Sequence, residues 1–188
     1  MNKPLASLAP ASAAKARFTK AEFLTMAATG AFDDMKIELV EGELERMNPP
    51  MSEHGRRQMA VGILLHRAIA GTGYTILGDT GIDLDEENVV ACDVAIVRHA
   101  PDSNRLVRPE ELILVVEIGE TTQQRDMGQK RVAYAAAGIP HYWVVDGERR
   151  VVHVFSDPVR GDYAEVSTVR FGAPLAVPGT DRAITIDS

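Results

Sequence analysis

Residues 112–118, Leu-Ile-Leu-Val-Val-Glu-Ile, form the most apolar run of the sequence. A near-continuous aliphatic run of this length is typical of a strand that is buried on both faces. Residues 89–97, Val-Val-Ala-Cys-Asp-Val-Ala-Ile-Val, predict a second strong strand. One acid interrupts each run, Asp93 in the earlier strand and Glu117 in the later one.

Helical patterns lie on both sides of these strands. Ser52 can cap a helix over residues 52–70, which has an apolar stripe at helical spacing: Met59, Ile63, Leu64 and Ala68. A second helix is expected from Thr121 or Thr122 to about Ala137, because residues 138–140, Gly-Ile-Pro, form a strong stop signal.

Shorter patterns complete the chain. Thr19 and Glu22 have capping-box spacing at the start of a helix over residues 17–28. A hairpin is expected over residues 36–47, with its turn at residues 41–43, Glu-Gly-Glu. Further strands are predicted at residues 74–77, 81–84, 142–145, 150–155 and 163–170, with a possible short edge strand at 183–186.

Strands mixed with helices in this order predict one α/β domain, with a mixed α+β sheet flanked by helices. The expected domain covers residues 18–188 and follows a flexible N-terminal leader, residues 1–17, rich in Ala, Pro and Ser. No internal repeat and no second domain is expected.

The overall charge limits the function classes. Twenty basic residues against 27 acidic ones give a net charge of −7. That balance argues against broad, salt-driven binding along nucleic acid, so any DNA contact must be local. The single cysteine, Cys92, lies in an apolar run and fits a reducing cytoplasm. No apolar run has the ~18–20 residues that a membrane span needs.

The two strand acids are the first candidates for chemistry. A lone buried carboxylate costs several kcal/mol, so such acids are usually paired, protonated or bound to a metal. Asp93 and Glu117 on neighbouring strands would offer oxygen ligands to Mg²⁺ or Mn²⁺. The alternative is that each acid faces solvent at a strand edge or pairs with an arginine such as Arg98 or Arg131.

The second helix adds a possible lysine to this site. Asp126 and Lys130 are four residues apart and share a helix face, and Tyr134 lies one turn further on. A lysine beside a metal can orient a water or offset charge that builds on a phosphate. Spacing alone favours the simpler interpretation, an exposed Asp126–Lys130 ion pair.

An ordered set of motifs resembles a known family. The set comprises residues 38–44, Glu-Leu-Val-Glu-Gly-Glu-Leu; Glu53-His54; residues 92–97; residues 114–118; residues 125–130, Arg-Asp-Met-Gly-Gln-Lys, with Tyr134; and residues 138–146. Over residues 18–155 the chain resembles the Uma family of putative restriction endonucleases, a branch of the PD-(D/E)XK nuclease superfamily. The resemblance implies a restriction-endonuclease-like core.

The resemblance also implies roles for individual residues. Asp93 and Glu117 would bind the metal, and the Ile118 carbonyl could complete its coordination. The superfamily's usual lysine, two residues after the second acid, is replaced by Gly119 here, and Lys130 on the following helix would take its role. The family usually has proline before the strand aspartate, where this chain has Cys92.

Three further residues match family positions. Glu41 would be the acid of the early hairpin, binding metal directly or through water. Asp126 would orient Lys130. His54 would either approach a phosphate or support Glu41, and an ordinary surface or capping histidine is an equal alternative.

The expected function is therefore metal-dependent hydrolysis of DNA phosphodiester bonds, with Mg²⁺ or Mn²⁺ as cofactor. One alternative is a nuclease-fold binding or regulatory protein without activity, and another is a hydrolase of a different phosphate ester. A homodimer is possible, since a nuclease that cuts both strands often needs two sites. Candidate DNA contacts, which compete with a merely solvated charged face, are Arg56, Arg57, Arg98, Arg105, Arg108, Arg125 and Arg131.

Overall fold

The structure, a computed structural model, describes residues 15–119 and 125–187. Its helices are α1 (Lys20–Ala28), α2 (Ser52–Ala68) and α3 (Arg131–Ala136), the last preceded by a π-helix over Arg125–Lys130. Its strands are β1 (Ile37–Val40), β2 (Glu43–Arg46), β3 (Thr75–Asp83), β4 (Val89–Val97), β5 (Leu112–Gly119), β6 (His141–Asp146), β7 (Val151–Val159), β8 (Asp162–Arg170), β9 (Leu175–Ala176) and β10 (Ala183–Ile184).

One eight-stranded mixed sheet organises the molecule. Its order is β2-β1-β4-β5-β6-β7-β8, and β3 pairs with β4 as an additional neighbour. The β5–β6 pair is parallel, with the π-helix and α3 in the connection, and the other pairs are antiparallel. The predicted mixed sheet flanked by helices is confirmed.

Apolar side chains cover both faces of the central strands. All eight residues of β5 are buried, as its aliphatic run predicts. On one face α2 contributes Val61 and Leu65 to a cluster with Trp143. On the other face α3 contributes Tyr134 to a cluster with Phe155. Within the described residues, no helix is long and apolar enough to cross a membrane.

The predicted inner face of α2 is wrong at Met59 and Ile63, whereas Leu64 and Ala68 do pack against the core. Met59 is 65% exposed and Ile63 is 44% exposed, whereas the buried side chains include Val61, Leu65 and Ala68. The inward-facing positions follow helical spacing back from Ala68 to Gln58 and His54, both of which contact β4. Because the first two members of this stripe are polar, a search for apolar spacing selects the wrong face.

Other boundaries differ in smaller ways. Residues 74–77 and 81–84, predicted as two strands, belong to one strand, β3, because β4 pairs with it along its whole length. Met51 occupies the N-cap of α2 in place of Ser52. The predicted caps Thr121 and Thr122 lie outside the described residues. The capping box of Thr19 and Glu22 is confirmed.

The C-terminal end of α2 is capped by a residue far along the chain. Arg182 Nη1 donates to the Ala68 and Ala70 carbonyls at 2.8 Å and 2.7 Å. These are among the carbonyls that a helix leaves without partners at its last turn. We expect Arg182→Ala to lower the free energy of unfolding in urea by about 1–2 kcal/mol, because charge-assisted hydrogen bonds are lost. Arg160→Ala, at an exposed turn, is the control and should unfold as wild type does.

Candidate active site at the divided edge of strand β4

Strand β4 has one edge that its neighbours cover only in part. Along one edge β3 pairs with β4 over the full strand. Along the other edge β1 pairs at Val89, and β5 pairs from Val94 to Val97. Residues 90–93 lie between these two ladders, and the backbone groups of Ala91 and Asp93 face this edge where neither strand meets them.

Side chains take the place of the missing backbone partners. The Ala91 N–H donates to Glu38 Oε1 at 3.0 Å, and the Ala91 carbonyl accepts from Lys130 Nζ at 2.8 Å. The Asp93 carbonyl accepts from Gln58 Nε2 at 2.8 Å. A buried backbone group without a partner costs roughly 1–3 kcal/mol. The backbone of β4 therefore holds Glu38, Lys130 and Gln58 in place through these hydrogen bonds.

A buried lysine lies between two buried carboxylates in this gap. Lys130 Nζ is 2.8 Å from Glu117 Oε1 and 3.5 Å from Glu38 Oε1. The Tyr134 hydroxyl also donates to Glu117 Oε1, at 2.8 Å. Burial, with the nearby Glu117 charge, raises the pKa of the Tyr134 phenol well above its usual range, so the phenol remains a donor at neutral pH.

Asp93 is held from two sides. Its Oδ2 accepts the Ile118 N–H at 2.6 Å, and its Oδ1 lies 3.0 Å from His54 Nε2. In an extended strand the N–H and C=O of one residue point to the same edge, so the Ile118 carbonyl also faces the gap beside Asp93. The β4–β5 ladder ends at Val94 and Val116, which leaves Asp93 at the point where the two strands separate.

A cleft of about 260 Å³ opens onto these groups. Asp93, Glu117, Lys130 and Glu38 contribute to its inner wall, and residues 46–51 contribute to another wall. Lys36 and Asp79, which also line the cleft, form an ion pair with each other. The cleft therefore carries carboxylates on its inner wall, with a buried cation between them.

Most of the residues predicted from sequence come together here. Asp93, Glu117, Ile118 and Lys130 line the cleft, and His54 lines it beside Asp93. Tyr134 lies behind Glu117 and holds it through a hydrogen bond. The side chain of Asp126 lies outside the described part of the structure, so its proposed support of Lys130 stays a prediction.

Glu41 is not brought to this cluster. It occupies the hairpin turn with a φ of 50°, it is exposed, and its N–H donates to Asn88 Oδ1. The hairpin acid that reaches the gap is Glu38 on β1, three residues earlier. Glu41 lies in the turn, so its side chain is not on the strand face. Glu38 lies within the strand, and its side chain is directed at β4.

Glu38 and Gln58 are the residues that sequence reasoning missed. Glu38 interrupts the apolar strand Ile37–Val40 in the same way that Asp93 and Glu117 interrupt theirs, so the same signal identifies it. Gln58 carries no such signal, because its role depends on which face of α2 turns inward.

Several arginines considered for DNA are engaged within the chain. Arg56 pairs with Glu53, Arg105 with Glu111 and Arg131 with Asp162. The Arg105 guanidinium lowers the pKa of Glu111 to about 2. The alternative that Arg98 or Arg131 pairs with a strand acid is wrong. Glu117 pairs with Lys130, and Arg98 donates to the Glu110 carbonyl.

The oxygen donors fit a hard divalent cation. Within the described residues, no three side chains of His, Cys, Asp or Glu form a ready chelating group. Mg²⁺, however, is usually held by one or two carboxylates, with water and substrate phosphate completing its shell. Asp93, Glu117 and the Ile118 carbonyl provide a set of that kind at the cleft wall.

The comparisons with known proteins agree with this fold. The Uma2 family model, described as "Putative restriction endonuclease", matches residues 21–187, and the chain therefore belongs to the Uma2 family. Its structure is similar to that of a "putative nuclease belonging to DUF820" from Anabaena variabilis, with a TM-score of 0.67 at 17% identity over 86% of this chain and 89% of that one. That similarity supports the restriction-endonuclease-like fold. Among curated proteins none matches the chain.

The buried cluster predicts a graded loss of stability. We expect Lys130→Met to lower the free energy of unfolding by about 3–5 kcal/mol, because it leaves two buried carboxylates without their cation. Tyr134→Phe removes one hydrogen bond from Glu117 and should cost only about 1 kcal/mol. Urea unfolding of both variants at pH 7 measures the difference.

A double-mutant cycle tests whether the charge is responsible. Adding Glu117→Gln to Lys130→Met should restore part of the lost stability, since it removes one of the unpaired charges. Equal costs for Lys130→Met and Tyr134→Phe, with additive double variants, would contradict a coupled ion pair at this position.

Proposed function

We propose that this protein is a Mg²⁺- or Mn²⁺-dependent endonuclease that hydrolyses phosphodiester bonds in DNA. The observation that carries the proposal is the buried Lys130–Glu117 pair at a cleft where Asp93 and the Ile118 carbonyl also converge. Membership of the Uma2 family supports the nuclease class. A cytoplasmic location is part of the proposal, on the basis of the single buried cysteine.

Asp93, Glu117 and the Ile118 carbonyl would hold the metal. When bound, such an ion polarises a phosphoryl oxygen and lowers the pKa of a coordinated water. His54 and the Ile118 N–H fix the orientation of Asp93, so that its carboxylate need not be ordered during substrate binding. Glu38 would assist from the other side of Lys130, and as the hairpin acid at the site it would replace Glu41, which sequence reasoning had expected to bind the metal directly or through water.

Lys130 would act in the cleft as a fixed positive charge. Its ammonium is held by Glu117, Glu38 and the Ala91 carbonyl, which fixes its position in the gap. A lysine placed there orients the attacking water or offsets the charge that develops on the phosphate. Its position is set by buried contacts rather than by substrate, which is the preorganisation that such a role requires.

A binding or regulatory module without activity is the second candidate, and the net charge of −7 favours it. Such a protein would keep the fold and the buried ion pair without catalysing a reaction. A third possibility is hydrolysis of a smaller phosphate ester. Assaying a panel of small phosphodiesters alongside DNA distinguishes this activity from DNA cleavage.

The hairpin acids allow a matched test of the site. With Mn²⁺ and supercoiled plasmid or single-stranded circles as substrates, Glu117→Gln and Glu38→Gln should each lose at least about 100-fold in cleavage rate, because ligand or supporting groups are removed. Glu41→Gln, on the same hairpin but exposed, should keep most of the wild-type rate.

Circular dichroism and urea unfolding establish that each variant is folded before its rate is compared. Cleavage by Glu117→Gln at the wild-type rate would overturn the catalytic assignment. Loss of activity in Glu41→Gln but not in Glu38→Gln would mean that Glu41, rather than Glu38, is the hairpin acid of the site.

A further inference from the structure

The eight-stranded sheet ends in an unusually open edge at β8. Within the described residues, β7 is the strand that pairs with β8, and no strand lies beyond it. β8 has nine residues with neither proline nor lysine among them, and most of its side chains are exposed. Such an edge presents a row of backbone donors and acceptors to which another strand can add.

The other end of the sheet order is protected against such pairing. There β2 has only four residues, and Glu43, Glu45 and Arg46 are charged. Short, charged edge strands are a common way to prevent strand addition. β8 is thus the longer of the two terminal strands, with three charged residues, Asp162, Glu165 and Arg170, among its nine.

We propose that β8 pairs antiparallel with β8 of a second copy of the chain, about a two-fold axis at Val166, so that one sheet continues through a homodimer. A two-fold axis at Val166 places residues equally far before and after it opposite each other. Asp162 then lies opposite Arg170 of the partner subunit, and Arg170 lies opposite Asp162 of the partner subunit.

The charges of β8 select this register. Asp162 is 51% exposed despite its ion pair with Arg131, and Arg170 is exposed, so both can meet a partner. Moving the axis by one residue to Glu165 would place two glutamates opposite each other and Arg170 opposite Arg160. Moving the axis to Ser167 would place Asp162 opposite Gly172 and Arg170 opposite Ala164, so that neither charge meets the other.

The remaining residues of β8 are compatible with the same register. Val166 is 60% exposed, and at the axis it would pack against its own copy. Glu165 would lie opposite Ser167, and no like charges oppose each other.

A charge exchange tests the pairing directly. In sedimentation velocity over the micromolar range, wild type should dimerise, and Arg170→Asp should weaken dimerisation at least tenfold, because like charges then face each other twice. The exchange variant Asp162→Arg/Arg170→Asp should recover most of the affinity. Thermal unfolding confirms that each variant is folded.

Cysteine cross-linking fixes the axis independently of affinity. Val166→Cys should form a disulfide-linked dimer under mild oxidation, because self-opposed residues on paired strands lie within disulfide range. Val159→Cys is also exposed but lies off the axis, so it should not cross-link, and Cys92 is buried. A wild-type monomer throughout, or a dimer that ignores the charge reversal and gives no Val166→Cys cross-link, overturns the proposal.

Discussion

The strands β1 and β5 pair with the two ends of one edge of β4 and leave a gap between them. The polar contacts that fill this gap hold the candidate site together. Lys130 is the centre of those contacts, because it donates to the Ala91 carbonyl and lies between Glu117 and Glu38. A buried ion pair of this kind contributes little net stability but is costly to break. The sheet gap therefore fixes the lysine and both acids as one unit.

The same arrangement explains how an acidic chain can have a site suited to phosphate chemistry. The net charge of −7 argues against a long basic surface of the kind that drives unspecific DNA binding. The cation at the cleft is buried and held by neighbouring acids, so any effect on a substrate would be local. In the proposed function, contact with substrate depends on the metal and on Lys130 rather than on an extended positive surface.

Sequence patterns predicted the sheet strands better than the helix faces. The bounds of β4 and the burial of β5 follow from their aliphatic runs, and the acids Asp93 and Glu117 were found because they interrupt those runs. The inner face of α2 was not found, since His54 and Gln58 face β4 at positions where an apolar search expects hydrophobic residues. Glu41 was chosen in place of Glu38, because the position of the turn decides which acid faces the sheet.

The placement of Lys130 also depends on a feature that spacing cannot show. Residues Arg125–Lys130 form a π-helix, whose i→i+5 hydrogen bonds widen the turn and change which side chains share a face. Counting four residues along an α-helix therefore does not determine where Lys130 points. Its direction is set by tertiary contacts with Glu117 and the edge of β4.

Mn²⁺ titration by calorimetry on wild type and on Asp93→Asn tests the central claim without knowledge of the substrate. If Asp93 is a metal ligand, wild type binds the ion and Asp93→Asn binds it at least about tenfold more weakly, because a carboxylate ligand has been replaced by an amide. Equal binding by the two proteins, or no binding by wild type, would contradict a metal site at the divided edge of β4.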